Sequence, residues 1–129
     1  MKAARPDAIL SAAVIPDAAE AFQSRLQDWR TWLDQSLIDV LCPMAYTTDP
    51  RTFEAQVSLA EEYAGGRPVW TGIGAYRLSS ATTLQFIAAA RRLGTAGVIL
   101  FSYDALTAPP YTATTVTDIG RAAFGAGSY

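Results

Sequence analysis

Four short apolar runs recur along this chain at nearly constant spacing, and that recurrence restricts the fold more than any other feature. The stretches are Ile9–Ile15, Leu37–Thr48, Pro68–Ala75 and Gly97–Tyr103. Asp39, Val69 and Val98 mark the last three at a period of roughly 30 residues, the length of one strand–helix unit of a parallel sheet. The second, Leu37–Thr48, starts as a run of branched apolar residues with almost no polar interruption and ends in Pro43, then Tyr46 and a polar turn, Thr47 to Pro50. Such a pattern suits a strand buried on both faces. Pro43 has no N–H to give a central ladder, so it is expected near a strand end or a bulge.

The stretches between the runs read as helices. Pro16-Asp17 closes the first strand; Ala18–Arg25 makes a helical turn or two, and Leu26–Ser36 gives a clearer helix. Trp29, Trp32 and Leu33 fall at i, i+3 and i+4 and so line one face, which reads as helix-to-sheet packing rather than a binding role. Thr48-Asp49-Pro50 supplies a cap and a first-turn proline, Phe53, Val57, Ala60 and Ala64 form a buried stripe, and Gly65-Gly66 ends that helix. Ser79 or Ser80 caps the next, which runs to Gly94; Thr112–Phe124 forms a last, weakly periodic helix, and Gly125–Tyr129 is expected to fray. Gly72 and Gly74 in the third run mark a bulge or a close approach of another backbone or a ligand. The expected fold is α/β, one domain over residues 1–129, with four parallel βα units joined by right-handed crossovers.

Composition removes several function classes. Ten basic residues against twelve acidic leave a formal charge of −2 with no basic run, so nothing favours nucleic acid. The chain has no histidine, which takes away the commonest general base and metal ligand. Cys42 is the single cysteine, so no intramolecular disulfide and no cysteine-rich zinc site can form; in a buried strand it reads as a small hydrophobe. No metal cluster, dinucleotide fingerprint, phosphate loop or nucleophile elbow is written in the sequence, and no cofactor is expected. Met1, Lys2 and Arg5 ahead of Ala8–Ile15 imitate a signal peptide, but Pro6-Asp7 splits the two parts. They read as a turn feeding a strand; an export signal would lie outside this chain, and no stretch reaches membrane-spanning length.

In parallel α/β folds ligands gather at the carboxyl ends of the strands. Those ends carry Asp17; Tyr46 and Thr47; Tyr76 and Arg77; and Ser102, Tyr103 and Asp104. A tyrosine follows three of the four strands, and an apolar ring with a polar tip suits the face of a sugar, although the same rings can seal the ends of a core. Asp104 and Asp17 are the candidate catalytic carboxylates, because glycoside hydrolysis runs on such pairs. Asp17 fits a helix N-cap equally well. Tyr46, Tyr76, Arg77 and Tyr103 are the candidate substrate contacts. Asp39 sits at the amino end of its strand, where stability rather than chemistry is built.

Leu10-Ser11-Ala12-Ala13-Val14-Ile15-Pro16-Asp17, Asp39-Val40-Leu41-Cys42-Pro43-Met44-Ala45-Tyr46, Gly72-Ile73-Gly74-Ala75-Tyr76-Arg77-Leu78 and Gly97-Val98-Ile99-Leu100-Phe101-Ser102-Tyr103-Asp104 resemble the last four strands of the glycosyl-hydrolase-like 10 family. That resemblance covers nearly the whole chain. It implies half of a (β/α)8 TIM-type barrel, a polysaccharide or cell-wall glycan as ligand, a bacterial source and an exported setting. It also implies that Asp17, Tyr46, Tyr76, Arg77 and Asp104 face the cleft. The family's first four strands, with an Asp-Tyr-Ile-Arg-Tyr-Pro-like motif near the end of the fourth, have no counterpart here. The chain is therefore expected to hold half a site and to be inactive alone.

Two other readings stay open: a non-catalytic glycan-binding or assembly module, and a self-contained small α/β domain. If the half-barrel reading holds, the first and fourth strands are bare edges. Ile9–Ile15 and Gly97–Tyr103 contain neither charge nor proline to protect them. The expected partner is the missing N-terminal half-barrel or a second copy in a homodimer.

Overall fold

In the computed structural model, which describes residues 2–125, the longer helices begin where the sequence offers caps. Asp17, Asp49 and Ser79 accept backbone N–H bonds from Glu20 (2.8 Å), Thr52 (2.8 Å) and Thr82 (3.1 Å). The elements are β1 Ser11–Val14, α1 Ala18–Arg25, α2 Trp29–Asp34, β2 Val40–Ala45, α3 Pro50–Ala64, β3 Trp70–Ile73, a 3-10 turn Ala75–Arg77, α4 Ser80–Arg92, β4 Gly97–Leu100, α5 Tyr103–Leu106 and α6 Thr115–Phe124. Leu26, in the left-handed region at φ 56°, separates α1 from α2. Gly65 ends α3 in the same conformation, where glycine meets no steric penalty. The fraying expected of the C-terminal tail falls, from residue 126 onward, outside the described residues.

The four strands form one sheet in the order β1-β2-β3-β4, all parallel. An order that never reverses sends successive same-handed crossovers to one side, unlike a doubly wound sheet with its switch point. Side-chain parity agrees. Ala12 and Val14 of β1, Leu41 and Ala45 of β2, Ile73 of β3, and Val98 and Leu100 of β4 all belong to the helix-packed core. Their alternates, Ser11, Ala13, Val40, Cys42, Met44, Trp70, Gly72, Gly97 and Ile99, belong to neither core cluster.

The core has two parts. One gathers Trp29, Leu33, Ile38, Leu41, Ala60, Ala64 and Val69 around β1 and β2. The other joins Phe53, Val57, Ile73, Phe86, Ile87, Ala90 and Ile119, with the rings of Phe53 and Phe86 4.5 Å apart. The expected stripe of α3 is fully realised: Phe53, Val57, Ala60 and Ala64 are all buried. Trp29 packs edge-on to Tyr63 at 5.6 Å, and its indole N–H donates to the Ile15 carbonyl at 3.0 Å. Its role is therefore packing, as the spacing suggests.

Pro43 lies inside β2 rather than at an end, opposite Val14. The sheet accommodates it by a gap instead of a bulge. Leu41 donates its N–H to Pro68 O at 3.1 Å, so alternate residues of β2 turn their polar groups toward β3, and Pro43 is the next of these. Leu41 pairs with Val69 and Met44 with Gly72, the same 28-position offset on either side of the gap. The register survives while one bond is missing. Among the described residues no helix is long and apolar enough to cross a membrane.

Candidate functional site

Counting by twos puts Tyr46 beyond Met44 of β2 and Phe101 beyond Ile99 of β4, both in the parity of the face that carries no helix-packed core, at its carboxyl end. Tyr76 joins them from the 3-10 turn that follows β3. They meet there. Tyr46 stacks on Phe101 (centroids 5.3 Å, planes 23° apart) and meets Tyr76 edge-on at 6.5 Å; Tyr76 meets Phe101 at 6.1 Å and 74°. Tyr46 is half-buried, whereas Tyr76 and Phe101 are 41% and 49% exposed. Burial, and secondarily the neighbouring Tyr76, pushes the Tyr46 phenol above its ordinary pKa, so it stays a neutral donor.

The glycines of β3 make this arrangement possible. A Cβ on Gly72 would lie 3.0 Å from Pro43 O and 3.2 Å from the Tyr46 ring; one on Gly74 would lie 3.0 Å from the Tyr46 Cβ. The close approach expected at these glycines is thus made by Tyr46 of the neighbouring strand. The turn bearing Tyr76 and Arg77 is tied down from three sides. Tyr76 N–H donates to Phe101 O (3.3 Å), Arg77 Nη1 donates to Tyr46 O (3.2 Å), and the Tyr111 hydroxyl lies 2.9 Å from Ala75 O and 2.6 Å from Leu78 O. Tyr76, Arg77, Leu78, Ser79, Ser80, Pro110 and Tyr111 line an open cleft of about 500 Å³ beside the rings.

The other sequence candidates lie around or away from this cluster. Tyr103 is 70% exposed at the start of α5, with Asp104 exposed beside it; α5 packs beside the 3-10 turn, but Tyr103 makes no ring contact with the cluster. Asp17 is the N-cap of α1 and borders a different cleft, of about 570 Å³, walled by α1, α2 and α3. Asp17 and Asp104 follow the two edge strands of the sheet, with β2 and β3 between them.

Two residues of the site escaped sequence reasoning. Phe101 was legible only as part of an apolar strand; its parity with Ile99, one step past the strand end, was the available signal. Tyr111 follows Pro109-Pro110 in what reads as a linker, and nothing local announces that its hydroxyl reaches back some thirty residues to the 3-10 turn. Among the described residues no three of Asp, Glu or Cys gather into a metal site. Comparison with known proteins finds no matching family model, no matching curated protein and no matching solved structure.

Proposed function

We propose that this chain is the C-terminal half of a glycoside-hydrolase-like (β/α)8 barrel that binds a polysaccharide or cell-wall glycan and does not turn it over alone. The observation that carries the reading is the aromatic cluster of Tyr46, Tyr76 and Phe101 at the carboxyl ends of three adjacent strands. Half-exposed rings beside an arginine and two serines offer stacking faces and donors together, the combination a sugar ring needs. The unreversed strand order and the one-sided helix layer support the half-barrel part. The sequence resemblance supports the ligand class and an exported setting.

Contact without catalysis is favoured by the placement of Asp17 and Asp104 after opposite edge strands and by the engagement of Asp17 as a cap. Titration calorimetry with soluble glycan fragments tests the reading. Tyr76→Ala should weaken binding about five- to tenfold, the loss of roughly 1–1.4 kcal/mol of ring contact, while leaving the fold intact. Equal affinity in wild type and variant would remove the proposal. Robust hydrolysis by the purified chain that vanishes in Asp104→Asn would instead make Asp104 a catalytic carboxylate.

A further inference from the structure

The two edge strands and the face without helices share features that name the partner. β1 and β4 are both four residues long, both edges of the sheet, and free of charge and proline. On that face, large side chains sit beside glycines of the neighbouring strand. A Cβ on Gly97 would meet the Trp70 ring at 3.0 Å, and Tyr46 occupies the space over Gly72 and Gly74. β4 ends the series with two large side chains and no strand beyond them: Ile99, registered against Gly72, is 40% and Phe101 49% exposed. β1 begins it with two small ones, Ser11 and Ala13, both exposed and with no strand before them.

We infer that a second copy of this chain docks on these edges, β4 of each copy lying parallel to β1 of the other about a twofold axis along the strands. The deduction rests on the half-barrel reading above and names its partner. Ile99 and Phe101 of one copy cover Ser11 and Ala13 of the other, continuing the large-over-small rule across both seams. Eight parallel strands then leave no open edge, and the two aromatic clusters line one shared mouth. An N-terminal half-barrel could fill the same edges. The complementarity of the chain's own β1 and β4 favours self-association.

Sedimentation velocity at micromolar concentration should show a dimer. Ile99→Lys should weaken it at least about a hundredfold, because the twofold places two lysines in the seams. Ile99 is partly exposed, so a circular dichroism spectrum should confirm that the variant folds. Geometry is read separately by cysteine pairs in a Cys42→Ala background. Ala13→Cys with Ile99→Cys, and Ser11→Cys with Ile99→Cys, place thiols about 14 Å apart within one chain, beyond the roughly 7 Å limit for a disulfide. At least one pair should oxidise to a covalent dimer. A monomer at every concentration would overturn the inference. So would a dimer indifferent to Ile99→Lys and refractory to both pairs, which would point to another surface such as Phe22 and Leu26 on the helix side. Glycan titration of the same samples separates the two proposals: a monomer that binds glycan loses only the seam, and a dimer that does not bind loses only the function.

Discussion

The two faces of this sheet are made by the same four strands and have opposite fates. On the helix-covered face Val14, Leu41, Ala45 and Ile73 are 0% exposed; on the other face Ile99 is 40% exposed and Ser11 and Ala13 are open to solvent. The two inner strands, flanked on both sides, keep Val40 and Cys42 of β2 and Gly72 of β3 buried on the uncovered side. The difference shows where stability resides. Apolar area removed from water stabilises at roughly 25 cal/mol per Å², so the covered face holds the fold. Substitutions matched across the two faces should therefore differ sharply in cost.

The largest contrast is Phe53→Ala against Ile99→Ala. Phe53 is fully buried against Phe86, and its loss should cost about 3–5 kcal/mol. Ile99→Ala, measured dilute enough to exclude association, should cost under about 1 kcal/mol, because its side chain already meets water. Denaturant midpoints with unchanged m-values decide it. Comparable losses at both sites would mean that the uncovered face is packed after all.

Gly72→Ala tests the uncovered face where it is tightest. The added methyl would stand 3.0 Å from the Pro43 carbonyl, a backbone atom of a central strand that cannot swing away. A loss of about 1–3 kcal/mol is expected, together with weaker glycan binding as Tyr46 is displaced. Wild-type stability would show that β2 and β3 can move apart, and the aromatic cluster would then be loosely set.

How much of this was legible depends on the range of the interactions. The helices were readable because caps and stripes are local: Asp49 with Thr52, and Phe53, Val57, Ala60 and Ala64 on one face, depend on neighbours within a few turns. The strands were readable in position but came out shorter. β4 stops at Leu100, since the chain past Phe101 turns into α5, and hydrophobicity alone does not register a turn. Strand-end counting singled out Tyr46, Tyr76 and Arg77, which the fold brings together. It missed Phe101 and Tyr111 because their roles are contacts across tens of residues. Pro43 was misplaced for the same reason: the register of β3 on both sides of it holds the strand straight, and that register is set by the sheet as a whole.

Thr71 gives a smaller effect of opposite sign, on the covered face. It is fully buried, it lies opposite Pro43 by the register of the flanking pairs, and its hydroxyl has no hydrogen-bond partner. Thr71→Val keeps the shape and removes the unpaired group, so stability should rise by about 1 kcal/mol. A loss of stability instead would reveal that a bond to that hydroxyl is made in solution.

The smallest expected effect concerns how β1, which gives the uncovered face only Ser11 and Ala13, is fastened at its amino end. Asp39 Oδ2 accepts the Leu10 N–H at 2.7 Å and pairs with Lys2 Nζ at 2.7 Å. Foremost the Lys2 hydrogen bond, then the Leu10 N–H, hold the Asp39 carboxyl below its ordinary pKa, against a smaller opposing desolvation. A carboxyl depressed in the folded state binds its proton more weakly there than in the unfolded chain. Its contribution is therefore fully present above the unfolded value of about 3.9 and is lost as pH falls through the folded one. The Leu10 amide resonance should titrate with a midpoint below about 3.9. Asp39→Asn should abolish the titration, and Lys2→Ala should move it upward, because Lys2 is the larger cause. The acid-sensitive bond ties an edge strand whose other side is bare, so its release should loosen β1 before the helix-covered core responds. A Leu10 midpoint at or above the ordinary carboxylate value would show that the Lys2 and Leu10 contacts do not hold Asp39 in solution, and β1 would then depend on its pairing with β2 and on Val14 and its core neighbours.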